Sequence, residues 1–214
     1  MRVADLPTTR QPAAREVDFW FDFASTYSYP AALRIEDLAA THGVTVVWRA
    51  FLLGPIFQAQ GWSDSPFNLY PAKGRYMWRD LQRVCNEHHL EFHQPSHFPR
   101  NSVLAARVAC AFDAAPWIAG FVRRVFTANF ALDLDIADPG VLTTCLELLD
   151  QDAEFVLATA TNPESKAKLR LRTATAEDLG IFGAPTFITA GELYWGNERL
   201  GNALARAAQI SLGA

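Results

Sequence analysis

The sequence predicts an α/β fold built from a βαβ unit, a long helical middle and a closing αββα group that completes the core. Three observations carry this. An aromatic, strand-like run at residues 17–23 breaks abruptly into Ser25-Thr-Tyr-Ser28, and a helical pattern starts at once. A second β-rich run follows at 45–51. Sheet-type sequence then disappears until residues 186–195, with punctuated helical segments in between.

The elements follow in order. Val17-Asp-Phe-Trp-Phe-Asp-Phe23 is mostly apolar or aromatic, which reads as a strand. Leu33, Leu38 and Ala39 mark the apolar face of a helix over 29–41, which His42-Gly43 ends. Thr45-Val-Val-Trp-Arg-Ala-Phe51 is the second strand. Residues 52–70, rich in Gly, Pro, Ser and Asn, read as a loop. Helical pattern returns from 73 to about 85 and from 102 through 155, punctuated at Pro95, Pro99, Pro116 and Asp138-Pro139-Gly140. A helix over 166–179, strands at 186–189 and 193–195 with a turn at Gly191, and a last helix over about 198–210 complete the chain. The expected organisation is a flexible tail over 1–16 and a single domain over 17–214. Segments 17–69 and 166–214 would form the core. Residues from about 70 to 165 would form a helical insertion packed on it, since no linker-like composition separates the two.

The chain has 214 residues, 50% of them hydrophobic and 20% charged, which suits one sizeable core. Fifteen Phe and six Trp point to an aromatic core or an aromatic-walled pocket. A net charge of −4 argues against a nucleic-acid partner, which needs a concentrated basic face. No apolar run has the length of a membrane span. Cys85, Cys110 and Cys145 are widely spaced, with no Cys-x-x-Cys, and read as structural thiols of a reducing, cytoplasmic compartment. Residues 1–16 lack the apolar middle of a secretory signal. His89 and His93 stand four apart, with Cys85 four before them. Pro95 and Pro99 break the segment and no His-Glu-x-x-His pattern occurs, so no metal site is expected.

Ser25-Thr-Tyr-Ser28 sits where a thioredoxin-like redox protein carries Cys-x-x-Cys, after the first strand and at the start of the first helix. A helix N-terminus offers unpaired N–H groups and a positive field that stabilise a thiolate. The chain supplies that environment without a thiol, so a small-molecule thiol, glutathione, becomes the natural ligand. Read by itself, the motif favours Ser25 or Ser28 as a plain N-cap.

Four motifs in order widen the view: Asp22-Phe-Ala-Ser25-Thr-Tyr-Ser28, Pro71-Ala-Lys-Gly-Arg-Tyr-Met77, Phe182-Gly-Ala-Pro185-Thr and Trp195-Gly-Asn-Glu-Arg199. With them the chain, from about residue 17 to 200, resembles the 2-hydroxychromene-2-carboxylate isomerases and the related kappa-class glutathione transferases. These belong to the DsbA-like group of thioredoxin folds. The resemblance implies a thioredoxin-like (βαβ…αββα) core with a large helical insertion. It implies that Ser25 is the catalytic serine that hydrogen-bonds the glutathione sulfur, with Ser28 a cap or a supporting donor. A free thiol has a pKa of about 8.5, lowered at helix N-termini, so a Ser donor there favours thiolate. It implies a cis Ala184-Pro185 turn, whose Ala184 backbone pairs with the cysteinyl unit of glutathione like an added strand. Trp195, Gly196, Asn197 and Glu198 would hold the γ-glutamyl end. The family's usual Asp is here Glu198, which keeps the charge and changes the reach. As a plain sequence, the same segment is a well-capped helix start. In the loop Gly61-Trp-Ser-Asp-Ser-Pro-Phe-Asn68, the resemblance suggests Asn68 as a polar contact to the organic substrate, with Ser63 in reserve and Asn101 at the pocket mouth. Both asparagines read equally as turn formers. Lys73, Arg75 and Arg79 could meet a substrate carboxylate or simply face solvent.

The activity implied is glutathione-dependent isomerisation of 2-hydroxychromene-2-carboxylate or a related aromatic catabolite. The thiolate adds to the conjugated substrate, the resulting single bond rotates, and elimination regenerates glutathione. A kappa-like transferase, in which the sulfur stays attached, is one alternative. A non-catalytic thioredoxin-like binding module is another. The expected partner is a small aromatic molecule, with neither nucleic acid nor membrane involved, and the relatives imply a homodimer.

Overall fold

The computed structural model describes residues 15–209; residues 1–14 of the expected tail and Ile210 lie outside the described residues. The mostly apolar and aromatic character of the first run places it at the centre of the fold. β1 (Glu16–Phe21) lies between β2 (Thr45–Ala50), which is parallel to it, and β3 (Thr186–Thr189), which is antiparallel. β4 (Glu192–Trp195) pairs antiparallel with β3, giving the order β2-β1-β3-β4. Glu16, assigned to the tail by sequence, is the first residue of β1.

A central strand is covered on both faces, so β1 carries apolar residues on both. Val17, Phe19 and Phe21 bury one face completely. Phe19 stacks on Phe187 of β3 at 5.3 Å between ring centroids and meets Trp48 of β2 edge-on at 5.3 Å. Trp20 points the other way, into a second cluster with Phe51, Ile56, Ala176 and Ile181. The first face is covered by α1 (Ser28–His42), α5 (Val103–Ala111), α6 (Ile118–Phe130) and α10 (Leu200–Gln209). The second is covered by α2 (Leu53–Ala59) and α9 (Pro163–Asp178). α3 (Pro66–Leu69), α4 (Pro71–Glu87), α7 (Pro139–Glu147) and α8 (Ala153–Thr161) complete the helices between β2 and β3.

Residues 52–70 correct the expectation of a loop: α2 and α3 both form there. In α2, Pro55 sits in the first turn, where its missing N–H costs nothing. No side chain of Leu52 caps α2. The cap comes instead from Asp22, whose Oδ2 accepts the Leu53 N–H at 2.8 Å. α3 has a local cap that was readable, Ser65 followed by Pro66, with the Ser65 hydroxyl accepting from Phe67 N–H at 3.3 Å. α4 ends at Glu87, which separates Cys85 from His89 and His93 and breaks the shared helical face. Before α10, residues Asn197–Arg199 form a short 3-10 turn. Both Ala184-Pro185 and Phe98-Pro99 are cis, the second with no warning in the sequence.

The core is an aromatic lattice. Phe126 of α6 is fully buried, with ring centroids 5.9, 5.0 and 6.4 Å from Phe21, Phe23 and Phe130. Phe126→Ala should therefore destabilise the fold by about 3–5 kcal/mol. Urea unfolding measures this, and a loss below about 1 kcal/mol would mean the lattice repacks freely.

Candidate functional site

The strand that begins the fold also delivers the site. β1 ends at Phe21, and the chain turns tightly through Asp22, with Ser25 N–H bonded to Asp22 C=O at 2.9 Å. Ser25 therefore stands just before α1. Neither serine caps that helix. Its N-cap is Tyr27, without a side-chain bond. Ser25 Oγ instead donates to Ala184 C=O at 2.9 Å, joining the first turn to the cis Ala184-Pro185 turn across 159 residues of sequence. Ser28 is fully buried, and its hydroxyl has no hydrogen-bond partner among the described residues.

Ser25, 8% exposed, opens onto a cavity of about 540 Å³. Aromatic pairs make much of its wall. Phe182 and Trp195 lie 4.9 Å apart beside Ala184. Tyr27 and Phe67 are 6.5 Å apart, and Phe57 and Trp62 5.4 Å apart. Phe98 and Pro99 also line it. No lining residue is a cysteine. The three cysteines are buried, and burial raises the Cys85 thiol to about 12 and Cys145 to about 11. Thiols so shifted are poor nucleophiles at neutral pH.

Of the residues picked from sequence, the structure brings Ser25, Ala184, Trp195 and Ser63 to the cavity wall. Pro185 and Gly196 stand directly behind it, with Gly196 N–H bonded to Pro185 C=O at 2.9 Å. Gly196 has φ +108°, and an added Cβ would sit 2.6 Å from both Glu198 carboxylate oxygens, so the carboxylate folds over a position only glycine can occupy. Glu198 is close enough to Tyr27 to act on its hydroxyl, whose pKa is raised first by burial and then by its 2.9 Å bond to Asp80. Asn197 is buried rather than presented to the cavity, and its Oδ1 accepts from Arg34 at 3.2 Å. Asn68 and Asn101 do not line the cavity. The Asn68 amide donates to Asp64 at 3.1 Å and to Phe98 C=O at 3.3 Å, and Asn101 accepts from Val103 N–H at 2.9 Å. Among the described residues no group of three or more His, Cys, Asp or Glu could hold a metal ion.

Sequence reasoning gave Asp22 no role. It lines the cavity floor at 4% exposure, and both carboxylate oxygens are engaged. Oδ1 accepts from Ala24 N–H at 2.9 Å and from Ser102 Oγ at 2.6 Å, and Oδ2 caps α2 through Leu53 N–H. Alongside runs a second buried chain of polar contacts. Asn129 Nδ2 donates to Phe23 C=O at 2.9 Å, and Arg100 donates to Asn129 C=O and Oδ1 at 3.0 Å each and to the carboxylate of Asp133. The signal for Asp22 was a carboxylate directly after an apolar strand and three residues before Ser25, which is visible only once the motif is read as a turn.

The DSBA-like thioredoxin domain family matches residues 16–207. A 2-hydroxychromene-2-carboxylate isomerase of Pseudomonas putida is 30% identical over 192 residues, which are 86% of this chain and 90% of that protein. Human glutathione S-transferase kappa 1 is 24% identical, covering 81% of this chain and 80% of its own. A solved 2-hydroxychromene-2-carboxylate isomerase structure superposes with a TM-score of 0.77 at 26% identity, over 93% of this chain and all of that one.

Asp22 generates a pH prediction. Burial holds its carboxyl above the ordinary 3.8, outweighing the lowering pull of Ala24, Leu53 and Ser102. The folded chain thus binds this proton more tightly than the unfolded chain, and the contribution to stability declines as pH rises past 3.8 and through the raised value. Asp22→Asn removes that dependence. Urea unfolding across pH should show wild type losing stability relative to Asp22→Asn as pH rises from below 3.8. The opposite slope would show that the hydrogen bonds, not burial, set the Asp22 charge, and a flat difference that the two cancel.

Proposed function

The chain belongs to the 2-hydroxychromene-2-carboxylate isomerase family of DsbA-like thioredoxin domains, and from that premise we propose a glutathione-dependent isomerase of 2-hydroxychromene-2-carboxylate or a related aromatic catabolite. One observation carries the reading. The Ser25 hydroxyl is turned across the fold to Ala184 at 2.9 Å, at the edge of an aromatic cavity that contains no thiol of its own. The donor chemistry fits glutathione. A hydroxyl just before α1 and the backbone of the Ala184 turn stand together, with a carboxylate at Glu198 nearby for an ammonium group.

Glutathione, when bound, would supply a thiolate as the reversible nucleophile for a conjugated double bond of the substrate. Ser25 turns its O–H from the Ala184 carbonyl to the sulfur and holds it as thiolate, helped by the positive end of α1. Ala184, beside Pro185, offers its backbone to the cysteinyl unit. Trp195 and Gly196 frame the γ-glutamyl end, Glu198 meets its ammonium group, and Asn197 keeps this segment in place through Arg34. Tyr27, Phe57, Trp62 and Phe67 enclose the flat substrate and exclude water from it, with Ser63 as a polar contact. A kappa-like transferase would use the same residues, and the human kappa relative favours that second reading. Accumulation of a stable glutathione conjugate during turnover separates it from an isomerase. The reading also places the protein as a homodimer in a reducing, cytoplasmic setting, where three buried cysteines persist as thiols.

The test is an ultraviolet titration with glutathione that follows thiolate absorbance. Wild type should form thiolate saturably at neutral pH, and Ser25→Ala should lose the signal together with about a hundredfold in kcat, the scale of removing one preorganised donor. No thiolate in wild type would leave a non-catalytic binding module as the better account.

A further inference from the structure

We propose that Lys73 is the residue of the cavity's aromatic half that receives a ligand carboxylate, in place of Arg75 and Arg79. The proposal rests on the reading above only in taking an aromatic molecule to occupy that half. It begins with the charges that line the cavity, which are Asp22, Asp64 and Lys73. Both acids are committed to the protein. Asp22 serves Ala24, Ser102 and Leu53. Asp64 Oδ1 accepts from Ser65 N–H at 2.6 Å, and its Oδ2 accepts from Asn68 at 3.1 Å.

Lys73 is the cation left over. It forms no ion pair among the described residues, and its Nζ rests 4.8 Å from the centroid of the exposed Tyr70 ring. A cation on an exposed ring is weakly held, and a carboxylate draws it away readily. Arg75 and Arg79, on the same helix, do not line the cavity, so the structure makes the choice that sequence could not.

The fold fixes where Lys73 acts. Gly74 packs so closely on α3 that an added Cβ would lie 2.3 Å from the Phe67 carbonyl oxygen. This presses the first turn of α4 against Phe67, whose ring faces Tyr27. The Tyr27 hydroxyl in turn donates to Asp80, one turn further along α4 beyond Tyr76. Lys73 therefore serves the Tyr27–Phe67 side, on a flexible stem that lets the ammonium follow a ligand. One ammonium matches a single negative charge on a ligand, and the two acids that line the same cavity oppose a second. The wall selects a planar ring, and Lys73 selects its charge.

Quenching of the protein's tryptophan fluorescence reads binding directly, without glutathione or turnover, since Trp62 and Trp195 line the cavity. The probes are 2-naphthoate and its neutral isostere 2-naphthamide, tested on wild type, Lys73→Met and Lys73→Arg. Wild type should prefer the carboxylate. Lys73→Met should weaken naphthoate binding about tenfold or more and leave naphthamide unchanged, the latter also reporting an intact cavity. Lys73→Arg should restore naphthoate to within about threefold, since it keeps the charge. Equal affinity of the two probes in wild type, equal loss of both in Lys73→Met, or no binding of naphthoate would each overturn the assignment. A failed thiolate titration would sink the glutathione reading and leave this result untouched.

Discussion

The site is organised by one buried carboxylate. Asp22 joins the end of β1 to the start of α2, 31 residues away, and to the entrance of α5, 80 residues away. A carboxylate out of water is costly, and three donors on its two oxygens offset part of that cost. Its reach explains the cavity. The turn it makes with Ala24 sets Ser25 before α1. The cap it gives Leu53 starts the helix that carries Phe57. The bond from Ser102 holds the segment next to Phe98 and Pro99, and Arg100, on the Asn129–Asp133 chain, holds it from within.

Much of this was legible and some was not, for physical reasons. β1, β2, α1 and the β3–β4 pair stood out because their signals are local: apolar runs, a Gly43 terminus and a Gly191 turn. α2 was hidden because its stretch holds Gly54 and Pro55 and its cap comes from Asp22. A cap that distant leaves no mark beside the helix it caps. α3 carried a legible Ser65-Pro66 start that was masked by the polar composition around it. Asp22 itself reads identically in sequence whether solvated or buried, and only the fold distinguishes the two. The same holds for Asn68 and Asn101, since an asparagine that binds a ligand and one that shapes a turn are one residue type in one kind of segment.

The paired serines illustrate what a redox scaffold keeps when its thiols are gone. The geometry persists: a tight turn, a helix start, and a cis-proline turn brought to within 2.9 Å of the first hydroxyl. Electron transfer does not, because Ser25 and Ser28 cannot form a disulfide and the three cysteines are buried away with raised pKa values. Under the proposed function, a site with a hydroxyl donor before a helix start and no sulfur of its own takes a diffusible thiol. Under the proposed function the serine therefore replaces redox exchange with nucleophile activation, at the same point of the fold.

The two halves of the cavity come from different parts of the chain. Ser25, Ala184 and Trp195 belong to the sheet and its turns, whereas Phe57, Phe67, Lys73 and Phe98 belong to segments between β2 and β3. The sheet half is fixed by strand register and by Ser25–Ala184, so a change there disturbs the core as well as the site. The other half is fixed by helix starts and by contacts such as Gly74 on Phe67, which are local to those segments. Under the proposed function, the ring size and charge accepted by the helical half can therefore change with the Ser25–Ala184 half left in place. Asp22 limits that freedom, because it bonds both Ser25's turn and the start of α2 in the helical wall.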